Sequence, residues 1–361
     1  MNGPSDPADP AAPPRWTADQ AHTLANVLSL TPFLFQAVAV MRDSGLLRAT
    51  LAARRKGLTV EDAAEATGLS PYGLSILVDM GRSVGIFAPS TDGRLRPTSV
   101  AHFLVHHRGI DVQFGLSQHF AWSGLPALGE SLATQTAAGL ASFGDWDQLY
   151  PHLKDLPDAA REAWFAWDHH YSDSAFEEAG EVVLATEPTC VLDIGGNTGR
   201  FARHLLGRAP SVTVVLQDLP EQLAAADEQM GPEHAGRFVL HACDVLAADQ
   251  PFYEGADAAW MSQFVCCFGV DEVTSILRRT AAALPLGAPI FVLDTFWDRQ
   301  SEPSSAFALH AASLYFAAFA NGKGRMYAAT DLLRCADTAG LEVVGDQSIG
   351  RYHTLLTLRT P

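Results

Sequence analysis

The chain has 361 residues, 48% of them hydrophobic and 18% charged, with 21 prolines and 29 glycines spread through it. That composition excludes a disordered chain, and the length calls for two domains or one domain with a large extension. A formal charge of −17 repels phosphate backbones and anionic lipid, and no basic patch offsets it, so nucleic acid and membrane surfaces are excluded as partners.

The amino terminus, MNGPSDPADPAAPP, is acidic and proline-rich instead of basic and apolar. It predicts a disordered tail over residues 1–16 and neither a signal peptide nor an anchor. Residues 17–108 read as a compact helical domain. Thr59 is placed to cap a short helix with Asp62 in its first turn, Gly68 and Ser70-Pro71 separate it from a second helix, and Asp92-Gly93 marks a hairpin turn. Helix, turn, helix and hairpin describe a winged helix. A DNA-reading helix needs side chains for phosphates and base edges, yet PYGLSILVDMGRSVG offers only Arg82, so the domain reads as a packing or dimerisation module. Residues 109–175 predict further helices, rich in aromatics, forming a linker and pocket lid.

From residue 176 to 361 strands and helices alternate. CVLDIGG, SVTVVLQDL, RFVLHACDV, DAAWMSQFV and PIFVLDTF are the strands, with GRFARHLLGRA, PEQLAAADEQM and DEVTSILRRTAAAL as helices between. Apolar strands joined by crossover helices must run parallel with both faces covered. The last two, LEVVGDQS and YHTLLTLRT, are joined by a turn near Gly350 and must be antiparallel. The fold class is therefore α/β, a doubly wound, mostly parallel seven-stranded sheet with an antiparallel edge. The longest strongly apolar stretch is placed at Phe307 to Ala320, about 14 residues, short of the roughly 20 a membrane helix needs. Five cysteines, an odd set without metal-ligand spacing, point to free thiols, a reducing compartment and a cytoplasmic home.

In such sheets ligands sit beyond the carboxyl ends of the strands, where strand order reverses. VLDIGGNTGRF lies there: Gly195, Gly196 and Gly199 allow a tight turn and close approach of a ligand to a helix N-terminus. Asp193 stands just ahead, where a dinucleotide's pyrophosphate would have to come, so a cationic ligand suits the loop better. Asp218 at the end of the second strand is placed for ribose hydroxyls, Asp244 at the end of the third for an adenine amino group, and Val245 for the ring face. Each acid taken alone could equally be a helix cap or a solvated turn. In register they suit S-adenosylmethionine.

DIGGNTG, the DLP after the second strand, the acid after the third and NGKGRM (Asn321 to Met326) together resemble the class I methyltransferases, of the small-molecule O-methyltransferase type with a winged-helix dimerisation domain. The resemblance implies a homodimer that uses S-adenosylmethionine and releases S-adenosylhomocysteine. It adds Leu219, Ser262 and Gln263 to the cofactor contacts. In plant-like members the fourth strand leads into a histidine-aspartate pair whose histidine deprotonates the substrate hydroxyl. Cys266 and Cys267 fall on that pair, while the flanking carboxylate falls on Asp294. A thiol is a poor base near neutrality, and buried free cysteines are usually core residues, so Cys266 and Cys267 read first as small core residues, with pocket lining at the substrate the alternative for Cys266.

The missing imidazole leaves two expectations: another base serves, or the reaction is ring C-methylation ortho to a phenolic hydroxyl, with the proton approached from a different angle. Candidate bases are His169, His170, Tyr171 and His310, with His119, Tyr315, Phe316 and Phe319 around a flat substrate; each histidine could equally be a structural residue. WMSQFVCCF and DHHYSDSAF also resemble actinobacterial aromatic C-methyltransferases such as those acting on 3-hydroxykynurenine in antibiotic pathways. O-methylation of a phenol is the alternative, and a winged-helix regulator the distant one.

Overall fold

The computed structural model describes residues 16–361, so the tail expected over 1–16 lies, apart from Trp16, outside the described residues. The described chain divides into two compact units, one ending at Gln118 and the other spanning His119–Pro361.

The first unit is built from α1 (Ala18–Asp43), α2 (Leu46–Ala52), α3 (Val60–Thr67), α4 (Pro71–Ser83), α5 (Ser99–His106) and α6 (Arg108–Gly115). Thr59 caps α3 by accepting from the Asp62 amide at 3.0 Å, and Ser70 caps α4 ahead of Pro71 at its first turn. Met41, Leu46, Leu47, Leu74, Ile86 and Phe87 close the core between them. The expected hairpin is reduced to isolated antiparallel bridges, Leu58 with Leu95 and Phe87 with Pro97. The reason is local: the Asp92 carboxylate accepts from Ser90 and Arg94 and pairs with Arg96, which tightens the turn at the expense of strand pairing.

One expectation is corrected here. Among the described residues the long apolar segment is α1, not residues 307–320: it is long and apolar enough to cross a membrane by length and composition, with a mean hydropathy of 1.7 over its best window. Scattered Thr, Ser, Asn and Gln and an internal Pro32 break up its apolar run. At the end of the first unit Phe114 stacks on Phe35 with centroids 4.5 Å apart and Asp111 pairs with Arg42 at 2.7 Å.

The second unit begins with α7 (Leu128–Thr134), α8 (Asp158–Ser172) and α9 (Phe176–Leu184). β1 (Cys190–Ile194), α10 (Arg200–Arg208), β2 (Thr213–Asp218), α11 (Pro220–Gln229), β3 (Phe238–Ala242), β4 (Ala258–Ser262), α12 (Val270–Ala283) and β5 (Ile290–Asp294) then alternate, before α13 (Pro303–Tyr315), α14 (Ala329–Thr338), β6 (Glu342–Ile349) and β7 (His353–Arg359). The sheet order is β3-β2-β1-β4-β5-β7-β6. β1 to β5 are parallel, and the antiparallel edge is present, with β7 inserted between β5 and β6. β1, β4 and β5 are buried almost throughout, as apolar runs covered by helices on both faces must be.

Candidate active site

Strand order reverses at β1, between β2 and β4, and the Gly195–Gly199 loop leaves the sheet there. Gly195 has φ +72°, and a Cβ on it would lie 2.0 Å from the Phe264 ring; one on Gly196 would lie 2.6 Å from the Asp193 carboxylate. Only glycine lets the loop fold down over that acid. Asp193 is 1% exposed and its Oδ2 has no hydrogen-bond partner. Burial, reinforced by the nearby Asp218 carboxylate, pushes its pKa up to about 8.

Asp218 accepts from the Asn197 amide at 2.9 Å and the Leu219 amide at 2.7 Å, tying the loop to the end of β2. Burial raises it to about 6 against those two bonds. Asp244 closes a turn by accepting from the Leu246 amide at 2.9 Å, beside a buried Val245. Ser262 Oγ, Asn197 Oδ1 and Thr198 Oγ1 are also buried without partners. Each such atom costs about 1–3 kcal/mol unless something satisfies it. Their concentration at one rim, around an unpaired acid, fits a polar, cationic ligand. Gln263 is held at φ +49° and turns its amide to buried His353 at 3.3 Å.

On the other side of β4 the chain enters a short turn carrying the two thiols. Cys266 is 4% exposed and its Sγ lies 3.4 Å from the Gln263 carbonyl; contact with Cys267, then burial and the adjacent Asp294, raise it well above the ordinary thiol range. Cys267 Sγ meets the Tyr150 hydroxyl at 3.0 Å. The segment Asn321–Met326 clasps this turn: Asn321 donates to the Cys267 carbonyl at 2.6 Å and the Arg325 amide to the Cys266 carbonyl at 2.8 Å. A Cβ on Gly324 would lie 2.5 Å from that Cys266 oxygen. Asp294, 2% exposed at the end of β5, accepts from the Thr295 amide and is raised to about 7 by burial.

Aromatic side chains wall the same region. Tyr315, Phe316 and Phe319 are buried. Trp164 on α8 donates to the Tyr315 hydroxyl at 2.6 Å, and Phe120 packs on Tyr315 and Phe319 with centroids 5.9 and 5.3 Å away.

The candidate histidines scatter. His169 lies between Phe165 and the arginines of α10; burial and Arg200 lower its pKa, and its Nε2 has no hydrogen-bond partner. His170 packs on Tyr171, which packs on Tyr352. His310 is exposed against Trp297, and His119 is exposed while its neighbour Phe120 turns inward. Neither His310 nor His119 joins the buried group, whereas Tyr315 and Phe120, on the same segments, are buried. Sequence reading missed Tyr150, Trp164, Phe120 and Asp168. Trp164 and Asp168 are four residues apart on one helix face, a spacing visible in WFAWD.

A seven-stranded sheet in this order, with an acid beneath a glycine loop at its reversal point, defines a class I methyltransferase. Residues 181–341 match the O-methyltransferase domain and residues 22–94 the Dimerisation2-like domain. Residues 181–341 thus carry an O-methyltransferase domain, and the enzyme is an S-adenosylmethionine-dependent methyltransferase. It is 25% identical to a 3-amino-4-hydroxybenzoate 4-O-methyltransferase of Streptomyces cremeus, over 75% of this chain and 73% of that protein. It is 22% identical to an L-tyrosine C(3)-methyltransferase of Streptomyces lavendulae, over 76% and 74%. The S-adenosylmethionine-dependent methyltransferase SibL, solved in its apo form, has the same fold, with a TM-score of 0.70 at 21% identity over 94% of this chain and 99% of that one.

Proposed function

We propose that the enzyme methylates a hydroxylated aromatic small molecule of natural-product biosynthesis, at the ring carbon ortho to a phenolic hydroxyl. The observation that carries this reading is the thiol turn: where the resemblance expects an imidazole base, Cys266 is sealed and held protonated, beside a wall of aromatic rings.

When bound, S-adenosylmethionine supplies an electrophilic methyl group and keeps the electron pair of the broken carbon–sulfur bond. Asp193 is suited to its positive charge, Asp218 to the ribose hydroxyls, and Val245 to the adenine face. Ser262 offers a free hydroxyl at the same rim. Tyr315, Phe316 and Phe319 suit a flat ring, and fixing acceptor against donor can lower the barrier by several kcal/mol. Buried Cys266 narrows the acceptor's approach without taking its proton.

Methylation of the phenolic oxygen is the second reading, favoured by relatives named for 4-O-methylation. Incubation with labelled methyl donor and a panel of phenols, followed by NMR of the product, separates the two. A C-methyl signal is expected, and an O-methyl signal transfers the proposal to oxygen. Cys266→Ala is expected to leave turnover largely intact. A loss of about a hundredfold, the size of a missing proton acceptor, would make the thiol the base.

The first unit suits a homodimer: its sequence matches a dimerisation domain, and α1 exposes Leu28 and Phe33. Five free cysteines suit a cytoplasmic setting, and the acidic balance leaves no role for nucleic acid.

A further inference from the structure

We infer that Asp168, on the inward face of α8, is the group that takes the phenolic proton. The inference rests on the proposed phenolic substrate, and it fills the gap left by the thiol turn.

The placement follows from the helix. Trp164 reaches the Tyr315 hydroxyl and Trp167 packs on the Tyr315 ring with centroids 5.2 Å apart. Asp168, one turn past Trp164, shares that face. Its charge reaches both Cys266 and Tyr315, so it lies within electrostatic range of the thiol turn and the aromatic wall. Its side chain is 32% exposed, open to an arriving molecule. Asp294, the other acid near the thiols, is shut in behind Cys266. Five groups surround Asp168. His169 Nε2 lies 3.9 Å away. Asp173 follows α8, Arg200 opens α10 and donates to Asp173 at 2.8 Å, and Cys266 and Tyr315 face it from the turn and from α13. Burial and Asp173 raise its pKa to about 7, with Arg200 opposing. That is a suitable value for a base working near neutrality.

The step balances simply. The phenolic O–H bond breaks, its proton bonds to Asp168 Oδ, and the electron pair left on oxygen activates both oxygen and the ortho carbon. In carbon transfer, Asp168 first releases that proton to solvent through its open side. It then receives the ring proton that leaves after the methyl group arrives, and returns it to the product phenolate.

The test compares wild type, Asp168→Asn and His169→Gln on a phenol that the panel identifies, with S-adenosylhomocysteine binding as the check on folding. Wild-type kcat/KM is expected to rise with pH through a limb centred near 7, because the base works only when ionised. Asp168→Asn is expected to bind S-adenosylhomocysteine normally, lose about a hundredfold or more in rate, lose the limb, and lose less with acidic nitrophenols. Retention of rate and limb by Asp168→Asn, or their loss in His169→Gln alone, overturns the inference. Infrared difference spectra provide a readout without turnover: of the carboxyl bands titrating near 7, to which Asp294 also contributes, one component is lost in Asp168→Asn and that component is shifted by added catechol. An unchanged set of bands in the variant, or no response of the lost component to catechol, also overturns it. If wild type methylates no phenol while the bands behave as stated, the substrate reading fails and the proton-taking role fails with it, leaving Asp168 only as an acid that titrates near 7 beside the aromatic wall.

Discussion

Asp193 shows how one side chain can hold a site in readiness. Buried and with its Oδ2 unpartnered, the carboxyl favours its protonated form at neutral pH. A bound cation favours the charged form, so binding below about pH 8 must expel that proton. Affinity for S-adenosylmethionine is therefore expected to climb by up to about tenfold per pH unit and to level off above that value, by proton linkage. Calorimetry in buffers of different ionisation heat should count the released proton. Asp193→Asn is expected to bind more weakly and without that slope; an unaltered slope would assign the proton to another group. The row of acids was legible in the sequence because strand ends place them by spacing alone. The inferred base was not, because nothing local marks an aspartate above the histidines beside it; which way α8 turns decides. Its sequence puts Trp164 and Asp168 on one face and leaves His170 on another, and His310 and His119 turn out to solvent for the same kind of reason.

Among elements, the glycine loop is the least tolerant of change. A Cβ on Gly196 would press on Asp193 and Leu216, so Gly196→Ala is expected to cost about 1–3 kcal/mol in stability and to weaken cofactor binding. Gly207→Ala, in α10 with nothing within 4 Å of its new methyl, is the matching control, expected to stabilise by up to about 1 kcal/mol. Thermal unfolding with and without S-adenosylhomocysteine measures both, and equal behaviour of the two variants would show that the loop has room to adjust. The alternating strands and helices were readable because buried parallel strands and amphipathic helices write different periods into the chain. The wing was over-read, since Asp92 spends its oxygens on neighbours within the turn.

For the molecule as a whole, α1 is the surface expected to set the state of assembly. Leu28 is 63% and Phe33 69% exposed, side chains of a size that single domains seldom leave in water as part of one long apolar helix. Light scattering is expected to report a dimer, and Leu28→Glu with Phe33→Glu a monomer of half the mass. A variant that remains dimeric would move the interface elsewhere. The arrangement of β7 bears on the order in which the second unit can assemble. β6 touches the sheet only through β7, and β7 also lines the flank of β5, whose last residue is Asp294. The strand made last is thus a keystone: a nick or truncation within residues 353–359 strips one flank of β5, sets β6 adrift and removes His353 from the Gln263 amide. Damage at the far end of the chain then reaches the reaction centre through the lattice of backbone bonds, with no residue of the centre itself altered.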